Sequence, residues 1–218
     1  MIARTTRPSD PRTMKQRPFR QSGRETYPAV IGCDEVGRGA LCGPVVVSAV
    51  WFDPACFDAL DLLDDSKRLT ARARERLDRT IRAASVYSVV AVAASRIDRR
   101  GIRGATLEAM SRAIRALGIQ APVQVDGLDV PPDLTLEVTP LVQGDRRVPQ
   151  IAAASIVAKV TRDRILRSLA PRYPEFGWDQ NMGYATEAHL EALRRLGPTP
   201  HHRRSFAAEA AFQITLGL

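Results

Sequence analysis

Apolar and polar positions along the chain follow two periods, one typical of strands and one typical of helices. Short apolar or β-branched runs predict five strands, one ending at 29–31 and the others over 45–52, 86–94, 121–125 and 134–142. Apolar residues at helical spacing predict helices over 71–84, 102–117, 152–169, 187–196 and 206–216. The order of these elements predicts an α/β fold with a mixed central β-sheet flanked by helices.

Glycine, proline and threonine mark where several of these elements begin or end. Gly118 is predicted to end the helix over 102–117 in the left-handed conformation, and Pro171 ends the long helix before it. Thr186 is predicted to cap the helix that follows it, and Gly197-Pro198 ends that helix. The segment 53–65 is predicted as a loop or short helix, and 174–181 as a loop.

Acidic residues lie at or just beyond the ends of three predicted strands. Asp34 and Glu35, just after the apolar run, end the first strand, Asp126 ends the fourth, and Asp145 follows the fifth. Open sheets place sites at strand ends, so these four carboxylates can converge. Clustered carboxylates repel one another unless cations neutralise them, and oxygen ligands without His or Cys favour Mg²⁺ or Mn²⁺. For each acid taken alone, an exposed turn residue is the alternative.

The residues after the first two acids form a glycine-rich turn, Gly37-Arg38-Gly39. Neighbouring residues on a strand point to opposite faces, so we expect the backbone to turn here if both acids are to reach one site. Gly37 and Gly39 would permit that turn, and the guanidinium of Arg38 suits a phosphate group. The segment is neither a Walker loop nor a dinucleotide-binding fingerprint, and an exposed turn remains the alternative.

Composition limits the class of protein. A chain of 218 residues fits one domain, and its net charge of +8 favours a polyanionic partner such as nucleic acid, although a solvated arginine-rich surface explains the charge equally well. The three cysteines have no CxxC spacing, which indicates reduced thiols in a cytoplasmic protein. No apolar stretch approaches the roughly 20 residues that a membrane span requires.

The first 27 residues differ from the rest of the chain. They contain seven basic residues against two acidic ones, three prolines and no apolar periodicity. We therefore expect a disordered basic arm over 1–27 that adds non-specific phosphate contacts. The arm has no apolar core typical of a secretory signal, and its prolines make an organellar presequence the less favoured alternative.

Motifs along residues 28–207 resemble, in chain order, those of ribonuclease HII. They are DEVGRG at 34–39, LxGPVV at 41–46, DSKRLT at 65–70, VDG at 125–127, AASIVAKVTRD at 153–163, GY with Thr186 and His189 at 183–189, and TPxHRxSF at 199–206. Two positions depart from the family pattern: Met182 stands where a lysine is usual, and Ala185 where a glycine is usual. These departures argue against a phosphate contact at this segment, but they do not argue against the activity.

The resemblance implies a fold, an activity and a site. It implies a ribonuclease H-like catalytic domain over 28–218, including a helical extension over about 170–218. The implied activity is metal-dependent cleavage of the RNA strand of RNA–DNA hybrids and cleavage 5′ of ribonucleotides embedded in duplex DNA. Such cleavage leaves 3′-hydroxyl and 5′-phosphate ends, and it removes embedded ribonucleotides and RNA primers. We expect a cytoplasmic monomer. The implied site residues are Asp34, Glu35, Asp126 and Asp145 for catalysis with two Mg²⁺ or Mn²⁺ ions, and Gly37, Arg38, Gly39, Tyr184, Lys67 and Lys159 for substrate binding.

Several residues have competing interpretations. Lys159 is either a buried ion-pair partner or a phosphate ligand, and Asp163 is expected to pair with a nearby arginine. His189 is expected to make core or surface hydrogen bonds, whereas a structural or phosphate-proximal role is left open for His202. A ribonuclease HIII-type protein is disfavoured. By resemblance, that related family would have Glu at the fourth acidic position, where this chain has Asp145, and a folded N-terminal domain. A non-catalytic hybrid- or duplex-binding module is the alternative from another class.

Overall fold

A computed structural model describes residues 2–4, 29–53 and 70–206 of the chain. The strands are β1 (Ile2–Arg4), β2 (Ile31–Val36), β3 (Val45–Trp51), β4 (Val86–Val92), β5 (Val123–Asp126) and β6 (Val138–Leu141). The helices are α1 (Ala71–Ala84), α2 (Ala94–Arg100), α3 (Ile102–Leu117), α4 (Pro149–Leu169), α5 (Trp178–Asn181) and α6 (Glu187–Leu196). Single 3₁₀ turns lie at Gly144–Arg146, Ala170–Arg172 and Pro174–Phe176.

The six strands form one mixed sheet in the order β1-β4-β3-β2-β5-β6. The pairs on the β1 side of β2 are antiparallel, whereas β2–β5 and β5–β6 are parallel. The change of direction occurs at β2, so the ends of β2 and β5 that bear acidic residues lie side by side. The predicted α/β fold with a mixed central sheet is confirmed.

Helices cover both faces of the sheet. One face of β2, β3, β4 and β5 packs against α3 in an apolar core that includes Ile31, Cys33, Met110 and Ile114. The other face packs against α1 and α4, and its core includes Val46, Val50, Ile81 and Val157. Gly32 permits a close approach of β2 and α4, because a Cβ at Gly32 would overlap the backbone of Gln150.

Several predicted element boundaries agree with the structure. The helices over 71–84, 102–117 and 187–196 have the predicted bounds. Gly118 caps α3 at φ 66°, and the Thr186 hydroxyl accepts a hydrogen bond from the His189 backbone N–H at the start of α6. These boundaries depend on neighbouring residues only, so sequence was sufficient to place them.

Other predictions were wrong. β2 extends beyond the apolar run at 29–31, through both acids and on to Val36, β6 begins at Val138 rather than 134, and α2 was not expected. The segment 174–181 is a 3₁₀ turn followed by α5 rather than a loop. Phe176 and Trp178 are buried there in a third apolar cluster, beside Leu166 of α4. Tertiary packing of these two rings stabilises a helical turn that is too short to show an apolar period.

Three predictions fall largely on residues outside the described ranges. The helix expected over 206–216, the segment 53–65 and most of the basic arm over 1–27 lie there. Within the arm, Ile2–Arg4 forms β1 and pairs with β4, which the sequence did not lead us to expect. The arm as a whole and the extent of the C-terminal extension stay predictions. Within the described ranges, no helix has both the length and the apolar character needed to cross a bilayer.

Candidate active site

Asp34 and Glu35 occupy adjacent positions near the end of β2 and point to opposite faces of the sheet. Asp34 lies on the face covered by α4, where Ser155 hydrogen-bonds to its carboxylate. Glu35 lies on the other face, where Arg38 Nη1 donates a 3.3 Å hydrogen bond to Glu35 Oε1. The expectation that the turn itself brings the two acids together was wrong, because the turn follows Val36. The two acids instead approach the end of β5 from opposite faces.

Burial and mutual repulsion both disfavour ionisation of Asp34. Its pKa is raised well above the ordinary value by burial first and then by the charges of Glu35 and Asp126. Ser155 and the Glu35 backbone N–H, which donates to Asp34 Oδ1 at 2.7 Å, partly oppose this increase. Asp34 is only 5% exposed, so water contributes little to stabilising its charge. A carboxylate in this position favours a nearby cation.

Glu35 has a similar electrostatic environment. Burial raises its pKa, Arg38 lowers it, and the charge of Asp126 raises it. Its second oxygen, Oε2, is buried and has no hydrogen-bond partner within the described part of the chain. An unpartnered buried carboxylate oxygen beside two further acids fits a cation ligand.

A backbone hydrogen bond places Asp126 beside the segment that contains Asp145. Asp126 is the last residue of β5, and its Oδ1 accepts a 2.7 Å hydrogen bond from the backbone N–H of Gly144. Asp145 follows Gly144 in the 3₁₀ turn after β6 and is half-buried. A Cβ at Gly144 would overlap Ile151 and come 3.4 Å from Asp126 Oδ1, so this segment packs closely against β5 and α4.

The four acids do not already form a coordination shell. In residues 2–4, 29–53 and 70–206, no group of three or more His, Cys, Asp or Glu side chains is close enough to hold a metal ion. The unpartnered Glu35 Oε2 and the raised pKa of Asp34 nevertheless fit residues that bind a cation. The expected convergence of Asp34, Glu35, Asp126 and Asp145 on metal ions stays a prediction.

Only one of the two glycines in the 37–39 turn adopts a glycine conformation. Gly37 has φ 87°, and a Cβ there would overlap the guanidinium of Arg162. The φ angle of Gly39 lies outside the left-handed region, and a Cβ there would meet no atom within 4 Å. The expectation that both glycines supply the turn was therefore wrong for Gly39, whose surroundings are open. The open side of Gly39 and the exposed Arg38 leave this turn accessible to a ligand.

Two fully buried arginines bind backbone carbonyls in and around the turn. Arg203 donates hydrogen bonds to the carbonyls of Gly37, Arg38 and Gly43 at 2.6 to 3.2 Å. Arg162 donates to the carbonyls of Cys42, Pro44 and Met182 at 2.7 to 2.9 Å. Burial and then the charge of Arg162 lower the pKa of Arg203 to about 10.

The role of this arginine pair was not found from sequence. Arg162 and Arg203 each lie within a quoted motif, yet nothing in the local pattern distinguishes a buried arginine from an exposed one. A guanidinium has several donors in a fixed arrangement, so it can bind several carbonyls at once. Arg203 binds carbonyls of the turn itself, whereas Arg162 binds carbonyls of the adjacent segments, and together they fix the position of the turn.

Tyr184 lies next to this turn with its side chain partly exposed at 37%. The carbonyl of Gly183 accepts hydrogen bonds from the backbone N–H groups of Leu41 and Cys42 at 2.9 and 3.2 Å. The Arg162 guanidinium lies 5.4 Å from the centroid of the Tyr184 ring. This exposure does not fit a core aromatic residue. The structure thus joins the 37–43 turn to the 182–184 segment.

The remaining predicted substrate-binding residues have different outcomes. Lys159 Nζ pairs with Asp163 Oδ1 at 2.8 Å on α4, with its side chain 29% exposed. The expectation that Asp163 pairs with an arginine was therefore wrong. Lys67 lies outside the described residues, and its role stays a prediction. Asp129 forms an exposed ion pair with Arg103.

The two departures from the family pattern lie on the segment that precedes α6. Met182 has φ 50° and packs half-buried beside the cluster of Phe176 and Trp178, and its carbonyl accepts from Arg162. Ala185 is exposed. The conformation of this segment is thus fixed by the contacts of Met182 and Gly183 and does not depend on Ala185.

Comparison with known proteins gives a consistent family. The family model described as Ribonuclease HII matches residues 31–209. A ribonuclease HII of Paramagnetospirillum magneticum is 50% identical over 188 residues, which are 85% of this chain and 93% of the relative. A ribonuclease HII of Sphingopyxis alaskensis is 48% identical over 186 residues, which are 85% of this chain and 92% of the relative.

The fold agrees with the sequence comparison. The crystal structure of the ribonuclease H2 from Pyrococcus horikoshii superimposes with a TM-score of 0.72 at 29% identity, covering 85% of this chain and 98% of that chain. The resemblance found from the motifs is thereby confirmed, as is the expectation of an endoribonuclease. With the family model matching most of its length and close relatives of nearly the same extent, the chain belongs to the ribonuclease HII family.

Proposed function

We propose that this endoribonuclease hydrolyses the RNA strand of RNA–DNA hybrids and also cuts 5′ of single ribonucleotides embedded in duplex DNA. Cleavage would leave 3′-hydroxyl and 5′-phosphate ends, as needed for removal of ribonucleotides and RNA primers. Membership of the ribonuclease HII family supports the reaction class. The single observation that supports the site is that the parallel pairing of β2 and β5 brings Asp34 and Glu35 to the end of the sheet where Asp126 lies, with Glu35 Oε2 buried and unpartnered in the described part of the chain.

We infer that Asp34, Glu35, Asp126 and Asp145 bind divalent cations, with Mg²⁺ or Mn²⁺ favoured by an all-carboxylate ligand set. Such ions supply activation of water and stabilisation of the leaving 3′-oxygen in an in-line displacement. The side chains contribute fixed positions and negative charge. Arg38 holds Glu35 Oε1, and Gly144 holds Asp126 Oδ1, which leaves the other carboxylate oxygens for ligands.

The turn 37–39 and Tyr184 are the proposed substrate contacts. In the described part of the chain, the backbone N–H groups of Arg38 and Gly39 have no hydrogen-bond acceptor. They are available to a phosphate or a ribose hydroxyl, and the open space at Gly39 permits close approach. The exposed side of the Tyr184 ring can stack on the deoxyribose that follows a ribonucleotide. A ring in that place would disfavour a second 2′-hydroxyl and would select an RNA-to-DNA junction.

The lysines have a secondary place in this proposal. Lys159 is engaged with Asp163, so reaching a phosphate would require exchanging that ion pair for a phosphate contact. Lys67 follows Asp65-Ser66 in a motif shared with the family pattern, and we propose it as a backbone contact to the nucleic acid.

Cleavage assays test the proposal directly. Three labelled substrates are incubated with and without Mg²⁺ or Mn²⁺: a long RNA–DNA hybrid, a DNA duplex with one ribonucleotide, and an all-DNA duplex. We expect cleavage of the first two only in the presence of the metal, with 5′-phosphate on the product. Binding without cleavage under all metal conditions would favour the alternative, a non-catalytic hybrid- or duplex-binding module.

A further inference from the structure

A buried cluster of aromatic and imidazole rings lies directly behind Tyr184. Trp178 of α5, His189 of α6 and His202 of the following segment are each 2% exposed or less. Trp178 Nε1 donates to His189 Nε2 at 3.2 Å, and the Nε2 atoms of the two histidines are 3.1 Å apart. Phe176 packs against all three rings at centroid distances of 5.0 to 5.9 Å. Both imidazoles are therefore shielded from water, and their hydrogen-bond partners are protein groups.

The hydrogen bonds define which ring nitrogen of His189 bears the proton. His189 Nδ1 lies 2.8 Å from the backbone carbonyl of Tyr184, which can only accept. Nδ1 must therefore be the donor, so a neutral His189 has an unprotonated Nε2. That Nε2 has one lone pair, which the N–H groups of Trp178 and His202, at 3.2 and 3.1 Å, share.

The partner histidine has the opposite tautomer. The backbone N–H of Thr199 donates to His202 Nδ1 at 3.0 Å, so this nitrogen accepts. The proton of a neutral His202 then lies on Nε2 and points to His189 Nε2. The hydrogen bonds thus run in one direction. The Thr199 N–H donates to His202, His202 donates to His189, and His189 donates to the Tyr184 carbonyl. Burial lowers the pKa of both imidazoles, which keeps them neutral.

The Tyr184 carbonyl is thus the end point of the buried series. The same carbonyl also accepts from the Thr186 backbone N–H at 2.9 Å, in the residue that caps α6. On the other side of the tyrosine, Arg162 faces the ring and binds the carbonyl of Met182. The backbone of Tyr184 is therefore fixed from behind while its ring remains partly exposed.

We propose that His189 is a positioning residue that sets the orientation of Tyr184 at the substrate, and that His202 fixes His189 in the tautomer this requires. The inference rests on the proposed function of Tyr184 in contacting the sugar. Removal of the Nδ1 donor would leave the Tyr184 carbonyl bound by the Thr186 N–H without its side-chain donor, and would let the ring shift from its place. A displacement of about 1 Å in a positioning group can cost on the order of 100-fold in rate.

A matched pair of substitutions separates positioning from packing. The amide nitrogen introduced by His189→Asn lies near the position of Nδ1 and can still donate to Tyr184. The longer His189→Gln places its amide near Nε2, where it can accept from Trp178 but leaves the Tyr184 carbonyl without its side-chain donor. Both remove the ring from the same core, so both should lower the melting temperature by similar amounts.

Kinetics with two substrates give the first readout. We expect His189→Gln to lose about tenfold or more in kcat/KM on the duplex with one ribonucleotide, and less than about threefold on the long hybrid. His189→Asn should stay within about threefold of the unmodified protein on both substrates. Equal losses for the two variants would overturn the inference and leave His189 as packing alone.

A second pair covers the case in which a His189 variant does not fold. His202→Gln retains a donor toward His189 Nε2, whereas His202→Asn retains only the acceptor for Thr199. We expect His202→Asn to lose the selectivity between the substrates and His202→Gln to retain it. Equal behaviour of these two variants would overturn the role of His202.

Nitrogen NMR of the full protein gives a readout that does not depend on activity. The ¹⁵N shifts should show the proton on Nδ1 of His189 and on Nε2 of His202; the opposite tautomers would overturn the inference. Tyr184→Ala in the same assays reports on the proposed function separately. If that variant leaves the ratio between substrates unchanged, the role of Tyr184 fails whatever the tautomers are. If it changes the ratio while His189→Gln does not, the positioning role alone fails.

Discussion

The backbone N–H of Gly144 donates a 2.7 Å hydrogen bond to Oδ1 of Asp126, although the two residues lie 18 positions apart. The bond connects the end of β5 to the 3₁₀ turn after β6, which contains Asp145, the residue after Gly144. It also occupies one oxygen of Asp126 and leaves the other for a ligand. Two segments that the sequence separates, each with an acidic residue, are therefore fixed relative to each other by this hydrogen bond.

Substitution of Asp126 separates charge from structure. Asp126→Asn retains an oxygen that can accept from Gly144, so the fold should persist with a melting temperature within a few degrees of the unmodified protein. Loss of the negative charge should lower cleavage of both substrates by at least about 100-fold, since a metal ligand is weakened. Asp145→Asn should likewise retain the fold and lose cleavage of both substrates. Near-full activity of Asp145→Asn would show that the fourth ligand lies elsewhere.

Asp34→Asn should stabilise the metal-free protein while abolishing cleavage. The raised pKa of Asp34 means that folding favours its protonated form, so its contribution to stability is present below its ordinary pKa of 3.8 and is lost as pH rises through the folded value. At pH 7 a neutral amide avoids this cost. We expect a gain of at least about 1 kcal/mol, or 2–4 °C in melting temperature without metal.

Calorimetry with a chelator, and then with Mg²⁺, measures this effect. Added Mg²⁺ should stabilise the unmodified protein more than Asp34→Asn, because only the former keeps the full ligand charge. A lower melting temperature for Asp34→Asn in the chelator would contradict the electrostatic account.

The two glycines of the 37–39 turn should respond differently to alanine. Gly37→Ala places a Cβ against Arg162 at φ 87°, so we expect a loss of about 2–4 kcal/mol in the free energy of unfolding. Gly39→Ala has space for its Cβ and should unfold like the unmodified protein. If the substrate approaches the Gly39 backbone, that variant should nevertheless cleave the single-ribonucleotide duplex more slowly. Denaturant unfolding and cleavage, measured on both variants, decide the point.

Tyr184→Ala should keep the fold, because the side chain is partly exposed and its backbone is bound by other residues. It should lose most cleavage at a single embedded ribonucleotide and lose less on a long hybrid, where many equivalent positions compete. The comparison uses kcat/KM for both substrates with the same preparation. Equal losses on both, together with a lowered melting temperature, would assign Tyr184 to packing and the junction contact to another residue.

Stability should depend on pH through His202. Burial, followed by the neighbouring His189 and His201, lowers its pKa from 6.5 to about 4. Between these values the unfolded chain binds the proton and the folded chain does not, so the free energy of unfolding falls as pH decreases from about 6.5 to 4. The 2.5-unit difference corresponds to about 3 kcal/mol at most.

His202→Gln is the control, because an amide does not titrate. Denaturant unfolding at pH 7, 5.5 and 4.5 should show a smaller loss of stability on acidification for His202→Gln than for the unmodified protein. Parallel losses in the two proteins would mean that His202 titrates normally and that other groups cause the acid sensitivity.

Local sequence signals determined much of this fold. α1, α3 and α6 begin and end where capping residues and apolar periodicity predict, because these signals act between residues a few positions apart. Motif order alone was sufficient to identify the family and to select the four acids. The sequence also placed Asp126 at a strand end, since the short apolar run before it could be recognised without neighbours.

Contacts between distant segments determined the rest. The extension of β2 through both acids depends on pairing with β3, which local propensity does not encode. Whether Arg162 and Arg203 are exposed or buried depends on carbonyls more than 100 positions away for most of their bonds. The imidazole pair behind Tyr184 likewise forms only when α5, α6 and the 199–203 segment pack together. The sequence determined which chemical groups are present, whereas tertiary packing decided their burial, tautomer and orientation, because those properties arise from neighbours that only the folded chain brings together.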